Sequence, residues 1–294
     1  MAEAENQEGR SGTGDKKPVT LITGATKGIG LGFAREFARR GHDLFLVARS
    51  EDDLTATSER LADEFGVDIK TIDVDISTAA GCAAVERAVG KTGYFVEYLV
   101  NNVGYGLAGT FDAIDREQTL NMLDLNVRAL TDLTARFLPE MIARDRGGVL
   151  NVSSLAGLTP GPYQATYYAT KAYVNSLTRA LGWETVRTRV KFSVLACGPV
   201  ATEFHSRMGA DTAYYVKLLG LQEADEVARI ATNKFFAGRR LIIPGFLNKL
   251  SAISMKLTPH LLLVPAVAWL LKLRGPAARA AGGESSRDIR GEIG

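Results

Sequence analysis

Short β-branched runs alternate with amphipathic stretches along most of this chain, and the first run leads straight into a glycine-rich turn. No other feature narrows the possible folds as much. Val19 to Thr23 is apolar and has the length of a buried strand. Gly24-Ala25-Thr26-Lys27-Gly28-Ile29-Gly30 follows, and an apolar-periodic helix then runs to about Arg40, where Gly41 stops it. The same alternation continues. Strands are expected at Asp43 to Val47, Ile69 to Val74, Tyr98 to Val100, Val149 to Val152, Lys191 to Ala196 and Leu241 to Ile243. Helices are expected over Glu51 to Phe65, through Val85 and Val89, over Asp115 to Met141, Ala165 to Val186 and Asp225 to Ala237. Strands alternating with helices predict a parallel sheet covered on both faces. Right-handed crossovers make it a doubly wound, Rossmann-type α/β fold. No internal repeat or linker interrupts residues 18–245, which read as a single domain.

The ends read differently. Residues 1–17 are polar, without the apolar stretch of a secretory signal, and read as a disordered leader; residues 275–294 read as a disordered tail. Between the domain and the tail, residues 246–274 form an apolar C-terminal extension. The stretch from Lys256 to Lys272 holds no charged residue between its ends. It is shorter than the roughly 20 residues of a spanning helix, and Pro259 and Pro265 interrupt it. Two readings stand for it. One is a helical flap over the substrate cleft or a partner subunit. The other is a segment lying on a bilayer, with Lys249, Lys256, Lys272 and Arg274 flanking an apolar face and Trp269 at the headgroup boundary. A net charge of +2 gives no electrostatic footprint for nucleic acid. The two cysteines, Cys82 and Cys197, form no CxxC pair, which points to a reducing, cytoplasmic compartment. The three histidines, His205 among them, have no ligand spacing, so no metal is expected.

The glycine turn lies where a pyrophosphate can meet the positive end of a helix dipole and its free N–H groups. The spacing is G-x-x-x-G-x-G. Where an acidic residue would select a free ribose 2′-hydroxyl, the chain has Ala48-Arg49-Ser50. Arg49 can grip a 2′-phosphate as a fork, and Lys27 can add a second charge, which favours NADP(H) over NAD(H). Tyr167 and Lys171, at i and i+4, share one helix face. A nearby lysine favours phenolate and brings the phenol towards a range where it can pass a proton. The pair alone is a weak signal, and an ordinary amphipathic helix with an incidental pair is the favoured reading of it.

Taken together, TGATKGIG, Asn101-Asn102-Val103-Gly104, Asn126, Ser153-Ser154 and YYATK resemble the short-chain dehydrogenase/reductase family in order and spacing over residues 20 to about 203. The resemblance implies an NADP(H)-dependent enzyme acting on a small-molecule carbonyl or alcohol. It implies Tyr167 as proton donor, Ser154 on the substrate oxygen, and Lys171 on the nicotinamide ribose. Asn126 anchors a relay water. Ser153 points the other way on its strand, and Tyr168 is left as packing. On the same resemblance Asp75 and Ile76 should meet the adenine, with Asp73-Val74 as the rival register. Asn101 and Gly104 should line the adenosine ribose, and Gly198, Val200 and Thr202 the carboxamide. Cys197 replaces the family's usual proline and reads as a small buried residue. The family also implies a homodimer or homotetramer through its long helices. Residues 204–223 are the expected substrate lid, apolar at Met208, Tyr214, Tyr215, Val216, Leu218, Leu219 and Leu221. With Tyr105, Leu155, Pro162 and Tyr163 they suggest a pocket for a lipid-like, steroid-like or 3-oxoacyl substrate. A nucleotide-binding scaffold without chemistry is the other reading of the same fold.

Overall fold

The computed structural model describes residues 16–204, 208 and 220–271. The tail at 275–294, the leader before Lys16, His205 and most of the lid lie outside the described residues. Lys17, the last residue assigned to the leader, already belongs to the first strand.

Seven parallel strands form one sheet: β1 (Lys17–Thr23), β2 (Leu44–Ala48), β3 (Ile69–Asp73), β4 (Tyr94–Asn101), β5 (Gly148–Ser154), β6 (Lys191–Cys197) and β7 (Leu241–Ile242). Their order is β3-β2-β1-β4-β5-β6-β7. Chain direction across the sheet reverses between β1 and β4, and a ligand crevice opens at the carboxyl ends there. Residues alternate between two cores, because successive strand side chains face opposite ways. Ile22, Leu46, Val100 and Leu150 pack under α1 (Gly28–Ala38), α2 (Glu51–Phe65) and a later helix, α7 (Ala224–Phe236). Leu21, Val47, Leu99 and Val149 pack on the other face. That face carries α3 (Ala79–Gly90), α4 (Arg116–Leu123), α5 (Leu130–Ala143) and α6 (Ala165–Glu184).

Two elements differ from the sequence pattern. β4 starts at Tyr94, ahead of the expected Tyr98, because Glu97 breaks the apolar run yet is buried. Arg146 neutralises it through two hydrogen bonds, at 2.6 and 3.0 Å. The helix expected over Asp115 to Met141 is split into α4 and α5 by a π turn, Asp124–Ala129. Beyond β7, α8 (Phe246–Leu257) and α9 (His260–Leu271) follow one another. Pro259 separates them, but Pro265 sits inside α9 without ending it.

Candidate active site

Gly24 and Gly28 adopt φ of +65° and +54°, which favours glycine. A Cβ on Gly30 would stand 1.9 Å from the Gly24 carbonyl oxygen, so only glycine lets α1 start this close to β1. The tip of β4 is stitched to this turn. Thr23 Oγ1 accepts from the amides of Asn102 (3.0 Å) and Val103 (3.3 Å). Asn102 Nδ2 donates to the carbonyls of Thr23 (3.0 Å) and Gly24 (3.2 Å). Asn101, expected at the ribose, faces away. Its amide is buried and donates to Asn151 Oδ1 (2.8 Å) and Thr134 Oγ1 (3.1 Å). Strand alternation gives the crevice to one asparagine of the pair, and it is Asn102.

A cavity of about 1610 Å³ runs along the carboxyl ends of the strands. Gly24, Lys27, Gly28, Ile29 and Arg49 line one end, with Asp75, Ile76 and Gly104; Val74 shares this wall, whereas Asp73 does not. Thr26 and Gly30 are buried and do not line the cavity. Asp75 Oδ1 accepts from the Ser77 amide (2.8 Å), fixing this loop beside the crevice. Lys27 Nζ lies 3.2 Å from Asp53 Oδ2, an exposed ion pair.

Ser154, Tyr167 and Lys171 line the other end. Ser154 Oγ accepts from the Ala156 amide (3.1 Å) and donates to the Cys197 carbonyl (3.4 Å), capping a 3₁₀ turn, Leu155–Leu158. Ser153 Oγ instead donates to the Lys171 carbonyl (3.1 Å). The Lys171 ammonium donates to the Val152 carbonyl (3.1 Å) and stands 5.8 Å from the centre of the Tyr167 ring. Burial pushes its pKa down from 10.5 to about 8. The Tyr167 ring packs against Phe204, at 5.6 Å between centroids. Tyr168 also lines the cavity, though it packs against Leu263, Val267 and Leu271 of α9. Cys197 is buried and its thiol donates to the Ser153 carbonyl (3.3 Å); burial raises its pKa, so the thiol stays protonated.

Asn126 sits in the π turn, behind the cavity wall. Its Oδ1 accepts from the Tyr105 amide (3.1 Å), and its Nδ2 donates to the Tyr105 carbonyl (2.8 Å) and Thr170 Oγ1 (3.2 Å). It braces the loop after β4 against α6. A Cβ on Gly104 would come within 3.0 Å of Asn126 Oδ1 and 3.3 Å of Lys171 Nζ, so glycine keeps these groups adjacent.

After β6, Gly198, Val200 and Thr202 line the cavity. Two partners of this loop were not legible in the sequence. Gln222 pairs with it through its backbone, donating to the Pro199 carbonyl (3.1 Å) and accepting from the Ala201 amide (2.8 Å). Asn248, buried on α8, donates to Gln222 Oε1 (2.8 Å) and the Pro244 carbonyl (2.9 Å). A Cβ on Gly198 would strike Asn248 Oδ1 at 2.3 Å. α8 and α9 complete the cavity with Ser251, Met255, Val267, Leu270 and Leu271, whereas Pro162 and Tyr163 do not line it. Tyr163, at φ +67°, packs on α9 instead. Among the described residues no three of His, Cys, Asp or Glu converge on a metal-sized site.

The fold and this constellation define a class, and a family model described as short chain dehydrogenase matches residues 18–213. The chain belongs to that family. It is 37% identical over 166 residues to a very-long-chain 3-oxoacyl-CoA reductase of Laccaria bicolor, covering 56% of this chain and 49% of that protein. It is 38% identical over 168 residues to very-long-chain 3-oxoacyl-CoA reductase-A of Danio rerio, covering 56% and 52%. The chain thus spans about half the length of the curated relatives it matches. Among solved structures, a short-chain dehydrogenase from Sphingobium yanoikuyae in complex with NADPH superposes with a TM-score of 0.73 at 33% identity, covering 81% of this chain and 92% of that one.

Proposed function

We propose that this chain is an NADP(H)-dependent oxidoreductase that reduces a carbonyl, or oxidises the matching alcohol, on an apolar substrate such as a 3-oxoacyl thioester. The observation that carries the reading is a single cavity joining the glycine turn to Ser154, Tyr167 and Lys171. The turn fits a dinucleotide. Its glycines leave a hollow walled by backbone, no side chain caps the first N–H groups of α1, and buried Thr26 Oγ1 has no partner among the described residues. Such a helix start receives a pyrophosphate. Arg49 would hold a 2′-phosphate, joined by Lys27, whose exposed pair with Asp53 is weak enough to reopen. Asp75 and Ile76 would meet the adenine, Asn102 and Gly104 the adenosine ribose, and Gly198, Val200 and Thr202 the carboxamide. When bound, the nicotinamide supplies or takes up the hydride.

The remaining chemistry belongs to side chains. Ser154 donates to the substrate oxygen, holding it beside Tyr167. The Tyr167 hydroxyl gives that oxygen its proton as negative charge develops there. The Lys171 ammonium stabilises the phenolate left behind. Asn126 Oδ1 keeps one lone pair for a relay water next to Lys171. A scaffold that only bound nucleotide would have no use for a cation buried here. The apolar wall of Tyr105, Leu155, Met208 and Met255 suits an acyl chain, in keeping with the named activity of the relatives. We further propose a homodimer or homotetramer paired through α5 and α6, whose outer faces expose Ile142, Tyr173 and Trp183. The two buried free thiols support a reducing, cytoplasmic setting.

The test is NADPH consumption on 3-oxoacyl thioesters of increasing chain length, beside small ketones and aldehydes. Turnover should rise with chain length, and Tyr167→Phe should lower it by on the order of 100-fold or more with NADPH affinity retained. No consumption on any carbonyl despite tight NADPH binding would sink the reading.

A further inference from the structure

The pair of helices α8 and α9 presents both cavity-lining and exposed apolar residues. Its inner face walls the cavity, through Met255, Val267 and Leu270 among others. Its outer face presents Phe246 (79% exposed), Leu250 (54%), Ile253 (55%), Leu257 (75%), Leu261 (84%) and Trp269 (61%). Single exposed leucines are ordinary; a band of them along two successive helices marks an interaction surface. The band is also one-signed. Residues 246–271 contain no Asp or Glu, and the exposed charges among them are Lys249 and Lys256; Lys272 and Arg274 follow directly in the chain. An apolar face edged by cations complements an anionic lipid surface. No helix among the described residues is long and apolar enough to cross a membrane, so contact would be along the surface. A second copy fits less well, because two-fold pairing of this face would bring lysines together without an acid in the band to meet them.

We propose that α8 and α9 dock this protein on an anionic lipid surface, placing the apolar end of the cavity at the headgroup boundary. An acyl-chain substrate then enters from the bilayer without its chain crossing water. The use of the cavity rests on the substrate proposed above, whereas the docking itself is measured without turnover. Asn248 extends the contact inward. It stands on the docking helix, abuts Gly198 and holds Gln222, so the lipid-facing helix and the carboxamide loop are one packed unit.

The experiment uses the full chain carrying Trp183→Phe, which leaves Trp269 as the reporter. It is sedimented with vesicles of phosphatidylglycerol and phosphatidylcholine, and with phosphatidylcholine alone. Binding should require the anionic lipid, weaken with salt and shift Trp269 emission to the blue. Replacing three outer-face residues together, Leu250→Glu, Ile253→Glu and Leu261→Glu, should cut partitioning on the order of 100-fold. NADPH affinity, read by calorimetry, should not change, which separates docking from failure of the cofactor site. Should that variant lose NADPH through misfolding, Lys249→Glu with Lys256→Glu replaces it and should lower low-salt binding by about tenfold or more. Failure of the parent chain to sediment with anionic vesicles at low salt overturns the proposal, as does a folded variant that binds like the parent. A dimer in light scattering that the triple variant dissociates, from a parent that ignores vesicles, overturns it in favour of a second copy.

Discussion

Lys171 is held where its charge is hard to keep, and this has a measurable effect on stability. Burial lowers its pKa from 10.5 to about 8. A tenfold change in proton affinity is about 1.4 kcal/mol, so holding the cation in the fold at pH 7 costs about 3 kcal/mol. Lys171→Met keeps an unbranched chain of similar reach without the charge. It also forfeits the bond to the Val152 carbonyl, for which about 1 kcal/mol is a fair allowance. The variant should therefore be more stable than the parent at pH 7 by about 2 kcal/mol, or roughly 4 to 8 °C in melting temperature. The pH dependence is the stricter test. The depressed pKa means the unfolded chain binds the proton more tightly than the fold does. The penalty is complete below pH 8 and is relieved as pH rises towards 10.5, so the parent gains stability across that window while the variant does not gain this component. Their difference should shrink from pH 8 and reverse in the parent's favour near pH 10.5. Urea denaturation without cofactor at pH 7, 8, 9 and 10 measures it. A parent–variant difference that stays constant over this range would refute the argument, even if the variant proves inactive as expected.

The remaining predictions concern the cofactor and assembly. Arg49→Ala should weaken NADPH by about tenfold or more and leave NADH little changed, since a charge-assisted contact contributes roughly 1.5 to 3 kcal/mol; NADH bound as tightly as NADPH by the parent in calorimetry would contradict the assignment. Gly30→Ala forces a methyl onto the Gly24 carbonyl, so it should lower the melting temperature and reduce NADPH affinity together. Unchanged affinity would show that the turn can yield. Light scattering at micromolar concentration should give a dimer or tetramer, and a monomer would remove α5 and α6 as an interface.

Sheet and motifs were legible because local pattern determines them. Glu51–Phe65 matches its expected helix, with Ser50 capping the first turn and Gly66 at φ +67° ending it. Ser153 and Ser154 separate as strand alternation requires. The errors arose where tertiary contacts overrule local signals. Asn101 and Asn102 are chemically identical, and only the twist and register of β4 decide which one reaches Gly24. Glu97 looked like a strand boundary until Arg146 neutralised it across the fold. The π turn that carries Asn126 leaves no mark in the apolar period. Pro265 reads as a helix breaker, yet α9 runs through it. Asn248 carries no sequence signal of its role, because Gln222 and Gly198 reach it only through the fold.

That last residue bears on how such chains can be recombined. Gly198 tolerates no side chain because Asn248 occupies the space beside it, and Asn248 is in turn held by Gln222. A hybrid that exchanges the two C-terminal helices between relatives exchanges one of these three residues and leaves the other two behind. A bulkier incoming residue at 248 would collide with the loop after β6, and a smaller one would leave it unsupported. Truncation at residue 245 has the second effect. Residues 198, 222 and 248 must therefore be transferred together, because a grafted pair of helices that ignores this disturbs the loop after β6 and not the surface alone.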